Sequence, residues 1–247
     1  LAATVVIPAR FGSTRFPAKI VASDTGKPLV QHVVDQAKKC RRVERVIVAT
    51  DDQRIADALQ PFDTQVAMTS PAHQSGTDRI AEVARGLSCD IVVNVQGDEP
   101  EIEPETIDAL ITRLESFPGD DMATACTPFR SGADPTDPNL VKVVMDEQGR
   151  AIYFSRSPIP FRREADFIEN SAYHLHLGIY AYRRPFLLTF AGWPQTPLEK
   201  TEKLEQLRAL EHGRSIFVLK IDRATHGIDT VAQYAEFVKR YKGVVGC

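Results

Sequence analysis

The chain has 247 residues, 43% of them hydrophobic and 26% charged, and its 30 Lys and Arg against 33 Asp and Glu leave a net charge of −3. Such a composition supports a buried core over one or two domains. It lacks the basic excess that duplex DNA or an anionic membrane demands, and no apolar run approaches the roughly 18 residues of a membrane span, so neither partner is expected. The four cysteines (Cys40, Cys89, Cys126 and Cys247) show no CxxC pair or metal-ligand spacing, and Leu1-Ala2-Ala3 leads into a strand without the features of a leader. Both point to a reducing cytoplasm.

Thr4-Val5-Val6-Ile7-Pro8 is a β-branched run suited to a strand buried on both faces. A loop rich in Arg, Ser and Pro follows. Helical spacing of Leu29, Val30, Val33, Val34 and Ala37 predicts a helix over residues 29–39. Strands are then expected at 45–50, 65–68 and 90–95, alternating with helices at 52–59, 77–86 and 104–116. This alternation predicts a parallel sheet with crossover helices.

After Met122 the pattern changes, with strands at 122–128, 141–145, 151–154 and 175–182 between Pro-rich loops. A helix at 199–212, a strand at 215–221 and a helix at 230–241 complete the chain. The expected architecture is α/β and Rossmann-like: one domain with a mostly parallel central sheet flanked by helices. Residues 1–126 and about 199–247 would form its core, and about 127–198 an inserted β-rich lobe.

In open α/β sheets, sites lie beyond the carboxyl ends of the strands. Three polar clusters sit at such places. Arg10, Ser13, Thr14, Arg15 and Lys19 follow the first strand without an acid among them. Side-chain charge and backbone N–H groups of such a loop suit a polyphosphate, although a solvated basic loop has the same composition. Neither G-x-x-x-x-G-K-[ST] nor G-x-G-x-x-G occurs. Gln96-Gly97-Asp98-Glu99 ends the strand at 90–95, where a carboxylate suits Mg²⁺ beside substrate phosphates and Gly-Asp equally suits a plain turn. His73-Gln74-Ser75-Gly76-Thr77-Asp78-Arg79 opens a helix, as a Ser75 or Thr77 cap or as part of a nucleotide site.

The ordered blocks I-P-A-R-x-x-S-T-R-x-P-x-K, A-T-D-D, H-Q-S-G-T-D-R and N-V-Q-G-D-E-P resemble the 3-deoxy-manno-octulosonate cytidylyltransferases (CMP-Kdo synthetases). The resemblance continues through Asn139–Val144, Tyr153–Arg156, His176–Tyr180, Leu204–Arg208 and Gly227–Thr230, so it is colinear over nearly the whole chain. It implies a nucleotidyltransferase fold and a cytoplasmic, Mg²⁺-dependent homodimer. The implied reaction moves CMP from CTP to the anomeric hydroxyl of Kdo and releases pyrophosphate, supplying lipopolysaccharide synthesis.

By the same resemblance, Arg10, Ser13, Arg15 and Lys19 hold the CTP phosphates, and Gly76 and Arg79 contact the cytidine side. Gln96 and Asp98 lie at the nucleotide and metal, with Asp98 and Asp229 as Mg²⁺ ligands. Lys19, Arg10, Asp98 and Asp229 form the catalytic set. Arg156, His176, Tyr180, Glu202 and Gln206 line the sugar pocket; His174 is given no role, and no residue stands out as a general base.

Three departures are visible: Phe16 stands where the family usually has leucine, Ala18 where it has glycine, and Ile20 where it has proline. The match is weakest over 161–173, which keeps 8-amino-Kdo and sialic acid as alternative sugars. A non-catalytic nucleotide-binding module is the alternative from another class.

Overall fold

A computed structural model describes residues 1–129, 133–163, 172–222 and 227–245. Its strands are β1 (Ala3–Ala9), β2 (Val43–Thr50), β3 (Gln65–Met68), β4 (Ile91–Asn94), β5 (Met122–Pro128), β6 (Lys142–Met145), β7 (Ala151–Ser155), β8 (His174–Arg183) and β9 (Ile216–Lys220). Its helices are α1 (Leu29–Ala37), α2 (Gln53–Leu59), α3 (Gly76–Arg85), α4 (Pro104–Ser116), α5 (Arg184–Ala191), α6 (Pro197–Glu202), α7 (Leu207–Glu211) and α8 (Val231–Val245). The chain forms two compact units, Leu1–Asp108 with Thr225–Cys247, and Ala109–Ala224.

In the first unit β1 is buried along its whole length, as its unbroken apolar run requires when both sheet faces are covered. It pairs in parallel with β2 on one side and β4 on the other, and β3 adds to β2, giving the order β3-β2-β1-β4. The chain steps outward from β1 through β2 to β3, then returns to the opposite side of β1. The reversal makes the gap beyond the ends of β1 and β4 a topological switch point, where ligands of such sheets bind. Leu29, Val30, Val33, Val34 and Ala37 of α1 are all buried, as their spacing predicts. A separate apolar cluster of Leu29, Ile228, Tyr234 and Phe237 seats α8 on α1.

In the second unit β5 runs antiparallel to β8 and parallel to β9, and β6 and β7 form an antiparallel pair that joins β8 at Lys142–Leu175. Two local expectations are corrected here. The single helix over 199–212 is two, because Lys203 adopts the left-handed conformation (φ 54°) and ends α6. The turn brings Arg208 back to Glu199, where a buried bidentate pair forms at 2.6 and 2.8 Å. In a straight helix nine residues would separate them by about 13 Å. Helix α5 has no counterpart in the sequence reading. Its signals are a Pro in the first turn, Phe186, Leu187 and Phe190 on the buried side, and Gly192 at the end.

Candidate nucleotide site and its relatives

A cleft of about 500 Å³ opens beyond the ends of β1 and β4, within the first unit. Such a volume holds a nucleotide-sized ligand. Its walls come from the loop after β1 (Arg10, Ser13, Arg15, Lys19), the start of α3 (Gln74, Ser75, Gly76), the loop after β4 (Gln96, Asp98) and Asp229. Every residue assigned above to the nucleotide and metal lines it except Arg79. That guanidinium is buried behind the wall, paired with Asp51 at 3.1 Å and donating to the Thr69 hydroxyl. The neighbouring acid of the A-T-D-D block, Asp52, instead caps α2 by accepting the Arg54 N–H.

Glycine matters where the strand ends meet. A Cβ on Gly97 would lie 3.2 Å from the Pro8 carbonyl oxygen and 3.3 Å from Ile20 Cδ1, so a side chain there would push the end of β1 or Ile20 aside by a few tenths of an ångström. Ile20 is buried and forms part of the cleft lining. Phe16 packs on the α8 cluster with its ring 5.4 Å from Tyr234. Ala18 has a left-handed backbone (φ 57°, ψ 22°), a conformation that costs a residue with a Cβ about 1 kcal/mol. The departures from the family pattern therefore fall on packing and backbone strain, and the charged positions around them are unchanged.

The electrostatic centre of the cleft is Lys19. Its buried ammonium donates to Asp98 Oδ2 at 2.6 Å, to the Ile228 carbonyl at 2.8 Å and to Asp229 Oδ1 at 3.2 Å. Arg15 adds a second cation to Asp229 at 3.1 Å. Two carboxylates from distant segments thus converge on one positive charge. Glu99, half-buried beside Asp98, is pushed up to about 8, first by lost hydration and then by the Asp98 charge.

Among the described residues no group of three or more His, Cys, Asp and Glu is placed for a metal ion. A carboxylate pair beside open space suits Mg²⁺, which takes one or two carboxylates and completes its shell with water and phosphate oxygens. Structural zinc asks for four nitrogen or sulfur donors, and the described Cys40, Cys89 and Cys126 are separate and buried. Ser75, the cap of α3, forms a capping box with Asp78 at 3.0 and 3.1 Å, and the same residue lines the cleft.

The second unit holds the residues assigned to the sugar. Between β5 and β8 the register slips, Thr124 opposing Tyr180 and Ala125 opposing Leu177, so Gly178 and Ile179 bulge. Four residues of regular strand span about 13 Å. Across the bulge the His176 and Tyr180 rings lie 5.5 Å apart, and Phe154 meets His176 edge-on at 4.9 Å. The Thr124 hydroxyl, which bonds His176 Nε2 at 3.0 Å and the Ile179 carbonyl at 2.8 Å, holds the bulge. Lost hydration lowers His176 to about 3 and raises Tyr180, so both present neutral polar groups.

Arg156 and Glu202 are engaged locally. Glu202 accepts from the Ser155 hydroxyl at 2.6 Å and the Arg156 N–H at 2.9 Å, and the Arg156 guanidinium donates to the carbonyls of Glu202 and Pro138 at 2.7 and 2.8 Å. Gln206 is buried, and among the described residues its Nε2 has no hydrogen-bond partner. Part of the weakly matching stretch, 164–171, and Cys247 lie outside the described residues. Sequence reasoning missed Gln74, although it lies inside a quoted block, and the Ile228 carbonyl, for which a main-chain acceptor leaves no sequence signal.

The cytidylyltransferase family profile matches residues 4–216. A 3-deoxy-manno-octulosonate cytidylyltransferase of Syntrophotalea carbinolica is 48% identical over 234 residues, 92% of this chain and 93% of its own length. One of Geobacter sulfurreducens is 47% identical over 247 residues, 97% of this chain and 99% of its own length. The chain belongs to the 3-deoxy-manno-octulosonate cytidylyltransferase family. It is thus a nucleotidyltransferase enzyme of α/β fold, and among its described residues no helix is long and apolar enough to cross a membrane. The solved structure of a CMP:2-keto-3-deoxy-manno-octonic acid synthetase complexed with CTP superposes with a TM-score of 0.93 at 39% identity, covering 99% of this chain and 100% of that one.

Proposed function

We infer that this chain transfers CMP from CTP to the anomeric hydroxyl of Kdo, giving CMP-Kdo and pyrophosphate. The observation that carries the reading is the convergence of Asp98, Asp229 and Lys19 beside the Arg10–Lys19 loop in a nucleotide-sized cleft. Family membership supports the same reaction, since the relatives carry that name over nearly their full length.

In this reading Arg10, Ser13, Arg15 and Lys19 bind the triphosphate, and Gly76 faces the cytidine with Arg79 fastening the turn behind it. Asp98 and Asp229 would hold Mg²⁺, with Gln96 beside them. When bound there, the ion would supply Lewis acidity toward the α-phosphate and lower the pKa of the attacking hydroxyl. The hydroxyl oxygen bonds to the α-phosphorus in line, the bond from that phosphorus to the oxygen it shares with the β-phosphate breaks with its electron pair leaving on pyrophosphate, and the hydroxyl proton passes to solvent water. Negative charge grows on the α-phosphate and pyrophosphate oxygens, where Lys19 and Arg10 neutralise it; positioning and electrostatic stabilisation do most of the work in such transfers.

The sugar set is His176, Tyr180, Arg156, Glu202 and Gln206. Neutral donors and acceptors suit a polyhydroxylated acid, and a guanidinium suits its carboxylate. The resemblance further supports a cytoplasmic homodimer serving lipopolysaccharide synthesis. The test is pyrophosphate release with Mg²⁺, CTP and Kdo, run beside ATP, UTP, 8-amino-Kdo and sialic acid. Release with CTP and Kdo alone is expected. Release with another sugar reassigns the acceptor, and CTP binding without any release leaves a binding module.

A further inference from the structure

His73 belongs to a quoted sequence block but lines no part of the cleft. It sits in the connection from Thr69 to Ser75, between the end of β3 and the cap of α3. Its Nε2 meets Glu82 Oε2, on the second turn of α3, in a short hydrogen bond. The same carboxylate oxygen accepts the Ser70 N–H at 3.0 Å. Glu82 therefore grips the connection at two places, near its start and immediately before the cleft wall.

The next residue is Gln74, whose carbonyl accepts from Arg10 Nη2 at 3.2 Å. Gln74 and Arg10 both line the cleft and face each other from different loops. Arg10 is exposed, and among the described residues no other polar contact of its guanidinium is recorded. The direction in which this long cation points is set by a carbonyl one residue after His73.

We propose that His73 is a positioning residue for nucleotide binding: clasped to Glu82, it fixes the Gln74 carbonyl that aims Arg10 into the cleft. The proposal rests on the reading that this cleft binds CTP. A histidine serves because its ring donates one N–H to a carboxylate at short reach with little side-chain entropy to lose.

The test is a double-mutant cycle in the full-length protein. CTP affinity with Mg²⁺ is measured by titration calorimetry for wild type, His73→Ala, Arg10→Ala and the double variant. His73→Ala should weaken CTP about tenfold, the loss expected for a removed charge-assisted contact. In the Arg10→Ala background it should add less than about twofold, because contacts acting through one group are not additive. His73→Gln, whose amide still donates toward Glu82, should recover most of the affinity. In steady state, KM for CTP should rise, kcat should fall because Arg10 also neutralises transition-state charge, and the sugar KM should stay unchanged, whereas a loss of folded protein would lower kcat and leave KM for CTP alone.

An equal tenfold loss in both backgrounds, or none in either, overturns the proposal. If His73→Ala fails to fold, Glu82→Gln retains an acceptor for Ser70 and weakens only the clasp, and it must show the same dependence on Arg10. A wild type that binds no CTP would instead remove the functional reading itself.

Discussion

The two units use charge in opposite ways. Around the cleft of the first unit, cations and carboxylates come from segments far apart in the chain and face open space, as Lys19, Arg15, Asp98 and Asp229 do. In the second, polar groups are either neutral through lost hydration, as His176 is, or satisfied by neighbouring groups, as Arg156 is by carbonyls and Glu202 by the Ser155 hydroxyl and the Arg156 N–H. The first arrangement can trade internal ion pairs for a charged ligand at little net cost. The second offers a prearranged surface of hydrogen-bond partners. Phosphate chemistry wants the former, and recognition of a hydroxyl-rich sugar the latter.

The largest test of this contrast is Asp98→Asn, which keeps the shape of the cleft and removes half of its carboxylate charge. Turnover should fall by on the order of 10²–10⁴ with the circular dichroism spectrum unchanged. Near-normal pyrophosphate release would mean that the charge is not what the first unit contributes.

A pH experiment probes the buried histidines. Burial lowers His32 to about 4, helped by Lys27 and opposed by Asp35, and its ring packs edge-on against Phe237 and Tyr241. The folded state refuses a proton that the unfolded state accepts below about pH 6.5. Stability therefore declines as pH falls from 6.5 toward 4, by up to about 3 kcal/mol for His32, and the group has no effect above that window. Urea midpoints for wild type and His32→Gln should converge as pH is lowered; parallel curves would show that His32 is protonated in the fold.

The sugar half is sharpened by His176→Ala. It should raise KM for Kdo about tenfold and leave CTP affinity within about twofold, the cost of one lost hydrogen-bonding partner. Equal losses for both substrates would erase the division of labour. The smallest expected effect is at Ala18. Ala18→Gly relieves the left-handed strain and should stabilise the protein by about 0.5–1 kcal/mol, read as a higher urea midpoint. A lower midpoint would mean that glycine's extra freedom in the unfolded chain outweighs the strain.

The sequence made the first unit legible because its signals are local. Unbroken apolar runs gave β1, β2 and β4, and the polar blocks stood directly at their ends. The second unit hides its logic in irregularities. A left-handed lysine splits the helix expected over 199–212, and two bulged residues fold His176 toward Tyr180. Neither leaves a periodic trace, and α5 is too short and aromatic to read as more than loop. Arg79 shows another limit: residue type and motif marked it as a ligand contact, whereas its burial against Asp51 depends on packing that no spacing reveals. Asp229 entered only through resemblance, since nothing local ties it to Lys19.

That last contact has a consequence for the order in which the molecule is made. The bond from Lys19 to the Ile228 carbonyl closes a loop of 209 residues. Closing it alone would cost about 5 kcal/mol of chain entropy, scaling as (3/2)RT ln n, so a single hydrogen bond cannot draw the ends together. The packing of α8 on α1, through Ile228, Tyr234, Phe237 and Leu29, supplies the attraction, and the bond then sets the final position. A ribosome delivers the basic loop and Asp98 long before it delivers α8. Until that helix emerges and docks, the nascent chain holds a half-built cleft with one of its two carboxylates.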